Sequence, residues 1–314
     1  MIGLRRLGTI VPMRRLPSPT RVWTTRASLF AVAVAVTLPV AACTAGAATR
    51  ADRRGLTKVD KVVVVVFENK AFPQVIGSGQ APTFDALAGR YALLTDYRGV
   101  AHPSLPNYLA LLSGSTQGVA SDCTSCGVSA RNLADTLEGA GKTWKTYAEG
   151  LPAPGFTGSS AGRYAKKHDP LLYFDDVTAR PERLRRIVPL TVLWRDLATN
   201  ALPDFSLVVP DLCHDMHDCP VSSGDAWLGS FLRSLLRSGE LGHGVVYVVF
   251  DEGVGDAGGG GRVPALVVGP LVRPGARSSV PLDHYSLLRT IEDAWNLPRL
   301  ARSRAARPIT GIWR

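Results

Sequence analysis

The sequence predicts an α/β fold, a single-domain α/β/α sandwich around a mostly parallel sheet. Residues 62–67 are five valines and a phenylalanine, a run too short to cross a membrane and too uniform for a strand exposed on one face. Similar apolar runs occupy residues 205–209 and 244–250, and stretches with helical periodicity separate the runs. This alternation is typical of a parallel sheet that helices cover on both faces.

The remaining elements follow from local signals along the chain. Short segments rich in β-branched and aromatic residues are predicted as further strands at residues 92–97, 143–147 and 263–269. Helices are predicted where apolar residues recur at helical spacing behind a proline or a capping residue, at residues 82–90, 104–113, 132–140, 225–237 and 283–295. Residues 151–180, rich in Pro, Gly, Ser and charge, are predicted as an irregular insertion of the kind that covers an active site. Within it, Lys166, Lys167 and His168 are candidates to meet an anionic headgroup, although a solvated loop explains them equally well.

Oxygen-bearing side chains stand at two of the predicted strand ends. Glu68 and Asn69 follow the first valine-rich run, and Asp251 and Glu252 follow the run at residues 244–250. In open α/β sheets, ligands bind outside the carboxyl ends of the strands, and these ends face the same edge of a parallel sheet. Both pairs are therefore expected at one site, although a solvated loop would also explain Glu68 and Asn69.

A denser polar cluster follows the strand at residues 205–209. Residues 211–218 contain three aspartates and two histidines, among them Asp215 and His217. Packing explains such a cluster poorly, because these side chains are mostly exposed unless they are paired or coordinate a metal. Carboxylates in this number repel one another unless a divalent cation lies among them. Oxygen ligands suit Ca²⁺, Mg²⁺ or Mn²⁺, and histidine adds Zn²⁺.

Ser104 is predicted at or just before the start of a helix, within HPSLPNY at residues 102–108. Pro106 then falls in the first turn, where a missing N–H costs nothing. A serine at this position can cap the helix, or it can lie where the N–H groups and dipole of a helix N-terminus bind a phosphate. His284 starts another predicted helix and belongs on the same edge of the sheet.

The N-terminal part is predicted to direct export. Residues 1–42 hold six arginines and no acid, and their apolar run at residues 28–42 is too short to indicate a membrane-spanning helix. The run ends in VAAC, which is similar to the lipobox of bacterial lipoproteins and implies lipidation of Cys43. The protein is then anchored to the outer face of the cell membrane. Ordinary cleavage, which leaves a freely secreted protein, is the alternative.

The mature chain divides into three predicted parts. Residues 43–58 are small, polar and charged, and are expected to form a flexible tether. Residues 59–299 form the folded domain, and residues 300–314 are an arginine-rich tail that is expected to be loosely held. The formal net charge is +10, of which the six arginines of the signal carry more than half. Without a basic cluster interleaved with aromatic residues, nucleic-acid binding is not expected.

The five cysteines fit an oxidising compartment. Cys123 and Cys126 are close in sequence, as are Cys213 and Cys219, and Cys43 is left for the lipid. Two local disulfides and one acylated thiol then account for all five. A zinc site made of the four internal cysteines is the alternative, but their separations match no usual zinc-finger pattern.

Six motifs in order resemble the phosphoesterase family of the alkaline phosphatase superfamily, which holds bacterial phospholipases C and secreted acid phosphatases. The resemblance runs from about residue 61 to residue 300. The motifs are FEN (67–69), HPSLPNYLALLSG (102–114), DLCHDMHDC (211–219), FDEG (250–253), RVPALVVGP (262–270) and DHYSLLRTIEDAWNLP (283–298). The short chain and the cysteine-flanked DMHDC look most like the small secreted acid phosphatases. The resemblance implies an alkaline-phosphatase-like fold and a phosphoesterase domain at residues 59–299.

The resemblance also implies roles for individual residues. Ser104 matches the nucleophile that becomes phosphorylated, and metal-activated attack on phosphorus would give a phosphoserine that water hydrolyses. The residues matched to metal ligands are Glu68, Asn69, Asp251 and Glu252. Asp215, His217 and His284 fall where related enzymes bind a second metal or the phosphate. Asn107, His217 and His284 would hold non-bridging oxygens or protonate the leaving group, and His102, Asn107 and Asp215 are assigned to substrate binding. Many members of the superfamily have Asp-His where this chain has Asp251-Glu252, which favours a single oxygen-ligated cation over two zinc ions.

The expected activity is hydrolysis of phosphomonoesters, with a phosphorylated small molecule or lipid headgroup, including phosphoinositide headgroups, as substrate. A phospholipase C or another phosphodiesterase with the same site is the first alternative. A non-catalytic binding lipoprotein with a degenerate site is the second. The set of chemically competent side chains argues against the second alternative.

Overall fold

The fold is built on thirteen short strands in the part of the chain that the computed structural model describes, Leu56 and residues 58–314. In chain order the strands are β1 (Val62–Phe67), β2 (Ala92–Leu94), β3 (Tyr97–Arg98), β4 (Trp144–Ala148), β5 (Ser160–Ala161), β6 (Tyr164–Ala165), β7 (Ile187–Pro189), β8 (Phe205–Val209), β9 (Val245–Phe250), β10 (Arg262–Val263), β11 (Ala265–Val268), β12 (Arg277–Ser278) and β13 (Leu282–Asp283).

The main sheet has eight strands in the order β12-β2-β11-β9-β1-β8-β4-β7. Strand β1 lies near its middle and pairs in parallel with β8 and β9. Within the sheet only β11 runs against its neighbours, β9 and β2. All six residues of β1 and all six of β9 are buried. The prediction of a mostly parallel sheet around the valine-rich strand is confirmed, because β-branched runs without polar alternation suit strands covered on both faces.

The helices are α1 (Phe72–Val75), α2 (Pro82–Arg90), α3 (Ser104–Ser113), α4 (Leu133–Gly139), α5 (Asp175–Thr178), α6 (Pro181–Leu184), α7 (Thr191–Ala198), α8 (Val221–Arg237) and α9 (His284–Ala294). Helix α2 packs against α8, and α3 packs against α9. Helices α2 and α8 lie in connections that run towards the β12 edge of the sheet, whereas α3 lies in a connection that runs the other way, to β4. Because crossovers between parallel strands are right-handed, α2 and α8 lie on the opposite face of the sheet from α3. The helices therefore form two layers around the sheet.

Two predicted elements differ from the structure. The strand expected at residues 92–97 ends at Leu94, and the chain then enters a second sheet, in which β3 pairs with β10 and β13. This small sheet leads directly into α9 and so fixes the position of its first residue, His284. Helix α8 begins at Val221 rather than at residue 225. Neither difference moves a strand of the main sheet.

The expectation of a loosely held C-terminal tail is wrong. Ile309, Ile312 and Trp313 are buried in the hydrophobic core. The Arg314 backbone N–H donates a hydrogen bond of 2.9 Å to the Leu271 carbonyl. The apolar residues between the arginines provide the driving force, because their burial outweighs the loss of freedom of the surrounding chain. All described residues belong to one compact unit.

The two predicted disulfides are present. Cys123 is bonded to Cys126 with their Cα atoms 5.8 Å apart, and Cys213 is bonded to Cys219 with their Cα atoms 4.7 Å apart. The alternative of a zinc site made of these four cysteines is therefore wrong, because no thiolate remains to bind the metal.

The predicted signal peptide (residues 1–42) and Cys43 lie outside the described residues. The predicted tether at residues 43–58 lies outside them as well, apart from Leu56 and Lys58. Within the described residues, no helix has both the length and the apolar character needed to cross a membrane.

Candidate active site

The register of the central strands brings distant acids together. Phe67 pairs with Phe250, so the next residues, Glu68 and Asp251, stand side by side at the carboxyl ends of β1 and β9. The Asn69 N–H donates a hydrogen bond of 3.2 Å to Asp251 Oδ1. As expected from the parallel sheet, residues more than 180 positions apart meet at one edge.

Ser104 is the first residue of α3, and its side chain points at this cluster of acids. Pro103 occupies the N-cap position, and its own side chain makes no capping hydrogen bond. Ser104 Oγ lies 2.9 Å from Glu68 Oε2 and 3.2 Å from Glu252 Oε1, so its one proton is shared between two carboxylates. The capping alternative is therefore wrong for this serine. A buried hydroxyl between two carboxylates is polarised towards the alkoxide.

The carboxylates around Ser104 carry a large electrostatic penalty. Glu68, Asp251 and Glu252 are all buried. Burial, followed by the charges of Asp251 and Asp215, raises the pKa of Glu68 well above its usual value. Burial and the charge of Glu252 raise the pKa of Asp251 to about 8. Among the described residues Asp251 Oδ2 is buried without a hydrogen-bond partner. Buried carboxyl groups whose ionised forms repel one another in this way suit a divalent cation, because its charge offsets the repulsion.

A second acidic cluster lies on the same edge of the sheet. Within the described residues, Glu149, Asp211 and His214 form the one set of three potential ligands whose atoms lie within 4.8 Å of one another. Their polar atoms are already paired, because Glu149 Oε2 lies 2.9 Å from His214 Nδ1 and accepts a 3.1 Å hydrogen bond from the Asp211 N–H. Among the acids around Ser104, by contrast, Asp251 has a buried oxygen, Oδ2, that lacks a partner within the described residues.

Two residues outside the set matched to the family motifs complete the buried wall of the site. In His168, Nε2 lies 3.3 Å from Glu68 Oε2 and Nδ1 lies 3.2 Å from Asp215 Oδ2. Neither His168 Nε2 nor Asp215 Oδ2 makes a hydrogen bond with good geometry. Burial and then the charge of Lys167 hold the pKa of His168 well below its usual value, so the ring is neutral. Tyr108 stacks on His168 and donates a hydrogen bond to Glu68 Oε1.

The helix geometry of α3 could have indicated Tyr108, because residues i and i+4 share one helix face and Tyr108 follows Ser104 by four. His168 belongs to the insertion at residues 151–180, where no periodic pattern marks which side chain turns inward. The expectation that this insertion covers the site is supported by His168 itself, which is 1% exposed.

Asn107 and His102 brace the loop that leads to Ser104. Asn107 Oδ1 accepts hydrogen bonds from the N–H groups of Val100 and Ala101, and its Nδ2 donates to the carbonyls of Ala101 and Pro103. The carboxamide is thus fully used inside the protein. His102 contacts Glu252 Oε2 through Nδ1, and its Nε2 lies 3.1 Å from the Gly255 carbonyl.

Asp215 and His217 lie on the loop that the disulfide between Cys213 and Cys219 closes. Asp215 Oδ1 accepts a 2.7 Å hydrogen bond from the His217 N–H. The His217 ring is partly exposed, and its Nδ1 lies 2.6 Å from Asp218 Oδ1. An acid that holds one ring nitrogen leaves the other nitrogen oriented towards the site.

His284 is placed against the backbone of Asp251. Its Nε2 lies 2.6 Å from the Asp251 carbonyl, and its Nδ1 lies 3.1 Å from the Tyr97 hydroxyl. A carbonyl can only accept, so Nε2 carries the proton and Nδ1 accepts from Tyr97. Burial lowers the pKa of His284, in agreement with a neutral ring. Both ring nitrogens are thus engaged in holding the end of β9, and neither is directed at Ser104.

Comparison with known proteins agrees with this geometry. Residues 78–298 match the Phosphoesterase family. The chain is 36% identical over 253 residues to a phosphatidylinositol-3-phosphatase of Mycobacterium tuberculosis, covering 80% of this chain and 82% of the relative. It is 31% identical over 228 residues to an acid phosphatase of Aspergillus fumigatus, covering 69% of this chain and about half (51%) of that longer protein.

A solved structure supports the fold. A protein in the alkaline phosphatase superfamily from Vibrio parahaemolyticus superposes with a TM-score of 0.53 at 14% identity, covering 80% of this chain and 71% of that chain. The identity is low, so this similarity concerns the fold alone. The family match and the curated relatives show that the chain is a phosphoric ester hydrolase that belongs to the Phosphoesterase family.

Proposed function

We propose that this protein is an exported, metal-dependent phosphomonoesterase that acts through a phosphoserine formed on Ser104. The observation that carries the proposal is the position of Ser104 Oγ, at the start of α3 and within hydrogen-bond distance of Glu68 and Glu252. The names of the relatives, a phosphatidylinositol-3-phosphatase and an acid phosphatase, support a monoester with a small-molecule or lipid headgroup.

The residues proposed to hold the cation are Glu68, Asn69, Asp251 and Glu252. Such a cation would lower the free energy of the serine alkoxide and of the negative charge on the phosphoryl oxygens. The carboxylates that accept the hydrogen bond of Ser104 are placed to take its proton as Oγ attacks. The bond from Oγ to phosphorus forms while the bond from phosphorus to the leaving oxygen breaks. Water then hydrolyses the phosphoserine and releases phosphate.

His217 is proposed to protonate the leaving oxygen. Its ring is partly exposed, and Asp218 holds its Nδ1. The other proposed substrate residues act through the scaffold. Asn107 fixes the loop before Ser104, and His284 fixes the backbone of Asp251.

Monoester and diester hydrolysis are separated by parallel assays of p-nitrophenyl phosphate, a phosphatidylinositol phosphate and phosphatidylcholine. A phosphomonoesterase releases phosphate from the first two and leaves phosphatidylcholine intact. Release of phosphocholine, with no turnover of either monoester, would instead indicate a phospholipase C with the same site.

Removal of divalent cations is expected to abolish phosphatase activity. The buried carboxylates around Ser104 would then lack the positive charge that offsets their repulsion, and Ser104 would lack the ion that stabilises its alkoxide. Dialysis against a chelator, followed by separate addition of Mg²⁺, Mn²⁺, Ca²⁺ or Zn²⁺, measures both the loss and the recovery. Chelator saturated with Mg²⁺ beforehand is the control. Full activity after complete metal removal would contradict the proposed metal dependence, and no phosphatase activity under any condition would favour the binding lipoprotein.

We also propose that Cys43 anchors the protein to the outer face of the cell membrane. The support is its position at the end of VAAC and the absence of a nearby cysteine partner in the sequence. Cys43→Ser is expected to move the protein from the membrane fraction to the medium or the soluble fraction. Fractionation with a phosphatase assay and mass spectrometry of the N-terminus measures this. A wild-type protein found wholly in the medium with an unmodified N-terminus would show ordinary secretion.

A further inference from the structure

Lys167 lies on the partly exposed side of the active site, in the short 3₁₀ helix Lys166–His168. Its Nζ lies 3.0 Å from Asp122 Oδ2 and 3.3 Å from His217 Nε2. An ammonium group can only donate, so His217 Nε2 accepts and the other ring nitrogen carries the proton towards Asp218. Lys167 thus occupies the one ring nitrogen of His217, Nε2, that Asp218 leaves available to contact a leaving group.

Asp122 ties this ammonium group to the start of α3. Its Oδ1 accepts a 2.9 Å hydrogen bond from the Leu105 N–H, the residue after Ser104, while its Oδ2 pairs with Lys167. Burial acts to lower the pKa of Lys167, but Asp122 and the more distant charges of Glu68 and Asp251 raise it. The lysine is therefore held inside the field of the catalytic acids. Its side chain is 22% exposed, so it is not a freely moving surface residue.

The start of α3 offers few backbone donors to a phosphoryl group. The Leu105 N–H is taken by Asp122, and Pro106 has no N–H. The Asn107 carboxamide is fully used by the loop before Ser104. A phosphoryl dianion nevertheless needs donors for its non-bridging oxygens. Side chains must supply them, and Lys167 is the cation in contact with the proposed acid, His217.

We propose that Lys167 is a substrate-binding residue. When substrate binds, its ammonium group gives up the hydrogen bond to His217 Nε2 and donates instead to an oxygen of the phosphoryl group. The exchange is favourable because a hydrogen bond from a cation to an anion is stronger than one to a neutral nitrogen. The exchange also frees His217 Nε2, which can then take up a proton from solvent and pass it to the leaving oxygen. This inference rests on the proposed function, since it assigns one further residue to the same site.

Lys166 provides a matched control. It is adjacent in sequence and carries the same charge, but its Nζ donates to the Thr124 carbonyl at 3.0 Å and lies over the Tyr173 ring. Lys166→Met therefore removes one positive charge from the same short helix without touching His217. Lys167→Arg keeps the charge and the ion pair with Asp122.

The test measures inorganic phosphate binding together with turnover. Lys167→Met is expected to weaken competitive inhibition by inorganic phosphate, and to raise KM for p-nitrophenyl phosphate, by roughly 10- to 100-fold, as befits a lost hydrogen bond to an anion. The kcat should fall less than KM rises, and Lys167→Arg should recover part of the loss. Lys166→Met should match the wild type. Lys167→Gln can still donate to Asp122 and is measured beside Lys167→Met. The proposal can then be tested even if Lys167→Met does not fold.

Two results would overturn the inference. If Lys167→Met lowers kcat but leaves the phosphate inhibition constant unchanged, Lys167 only positions His217. If Lys166→Met weakens phosphate binding equally, the net positive charge of this short helix is responsible, and not a direct contact between Lys167 and phosphate. Calorimetric titration with inorganic phosphate gives the same comparison without turnover. A wild-type protein that binds phosphate through Lys167 but hydrolyses no monoester would therefore contradict the proposed function and leave this inference standing.

Discussion

Ser104→Ala is expected to lower kcat by about four powers of ten or more, a rise of about 5 kcal/mol in the activation barrier. The substitution removes the oxygen that attacks phosphorus and changes little else. The hydroxyl is buried and contacts Glu68 and Glu252, so its loss should change the free energy of unfolding by only about 1 kcal/mol. Steady-state assays with p-nitrophenyl phosphate and thermal unfolding measure the two effects separately.

Ser113→Ala is the matched control for this experiment. Ser113 is the last residue of the same helix, is equally buried, and donates a 2.7 Å hydrogen bond to the Leu109 carbonyl. Its loss should cost a similar free energy of unfolding and leave kcat near that of the wild type. Acid-quenched wild-type enzyme incubated with labelled substrate should carry the label on Ser104. Label on His217, or near wild-type turnover by Ser104→Ala, would contradict the phosphoserine mechanism.

Asp251→Asn is expected to reduce activity by about three powers of ten or more, through loss of the cation. The amide keeps the shape of the side chain but removes the charge of a buried carboxylate whose Oδ2 lacks a partner among the described residues. Excess cation should restore part of the activity, because the other proposed ligands remain. Activity assays across a range of Mg²⁺ and Mn²⁺ concentrations measure this shift.

The same substitution should have the opposite effect on the stability of the metal-free protein. Burial and Glu252 raise the pKa of Asp251 to about 8 in the folded state. The folded state therefore binds more protons than the unfolded state between the usual carboxyl pKa and about pH 8, and the metal-free wild type loses stability as pH rises through this range. Asp251→Asn removes this loss, so at neutral pH its metal-free Tm should equal or exceed that of the wild type.

Asp225→Asn is the control for a buried carboxylate outside the site. Asp225 accepts hydrogen bonds of 3.1 and 3.0 Å from the N–H groups of Thr83 and Phe84 at the start of α2. Its replacement should lower Tm and leave the cation dependence of activity unchanged. If Asp251→Asn retained wild-type activity at limiting cation, Asp251 would not be a metal ligand.

The central sheet, and the edge of the sheet that carries the site, could be predicted from local sequence patterns alone. Runs such as residues 62–67 and 245–250 lack polar alternation, and only a strand covered on both faces buries every side chain of such a run. Because parallel strands end at one edge, the acids that follow these runs had to be neighbours. Ser104 at a helix start could likewise be predicted, because proline in the first turn is a local signal.

The side chains that meet the reacting groups could not be predicted in this way, because their positions depend on packing between distant parts of the chain. Asn107 and His284 look equally competent in sequence, but the structure uses the donors and acceptors of both within the scaffold. His168 and Lys167 come from an insertion without periodicity, where no local rule determines which side chain turns inward. The same holds for the C-terminal residues such as Trp313, whose burial depends on a partner surface formed by distant parts of the chain. Local sequence patterns predict elements and their ends, whereas the partner of each polar atom depends on register and packing across the whole fold.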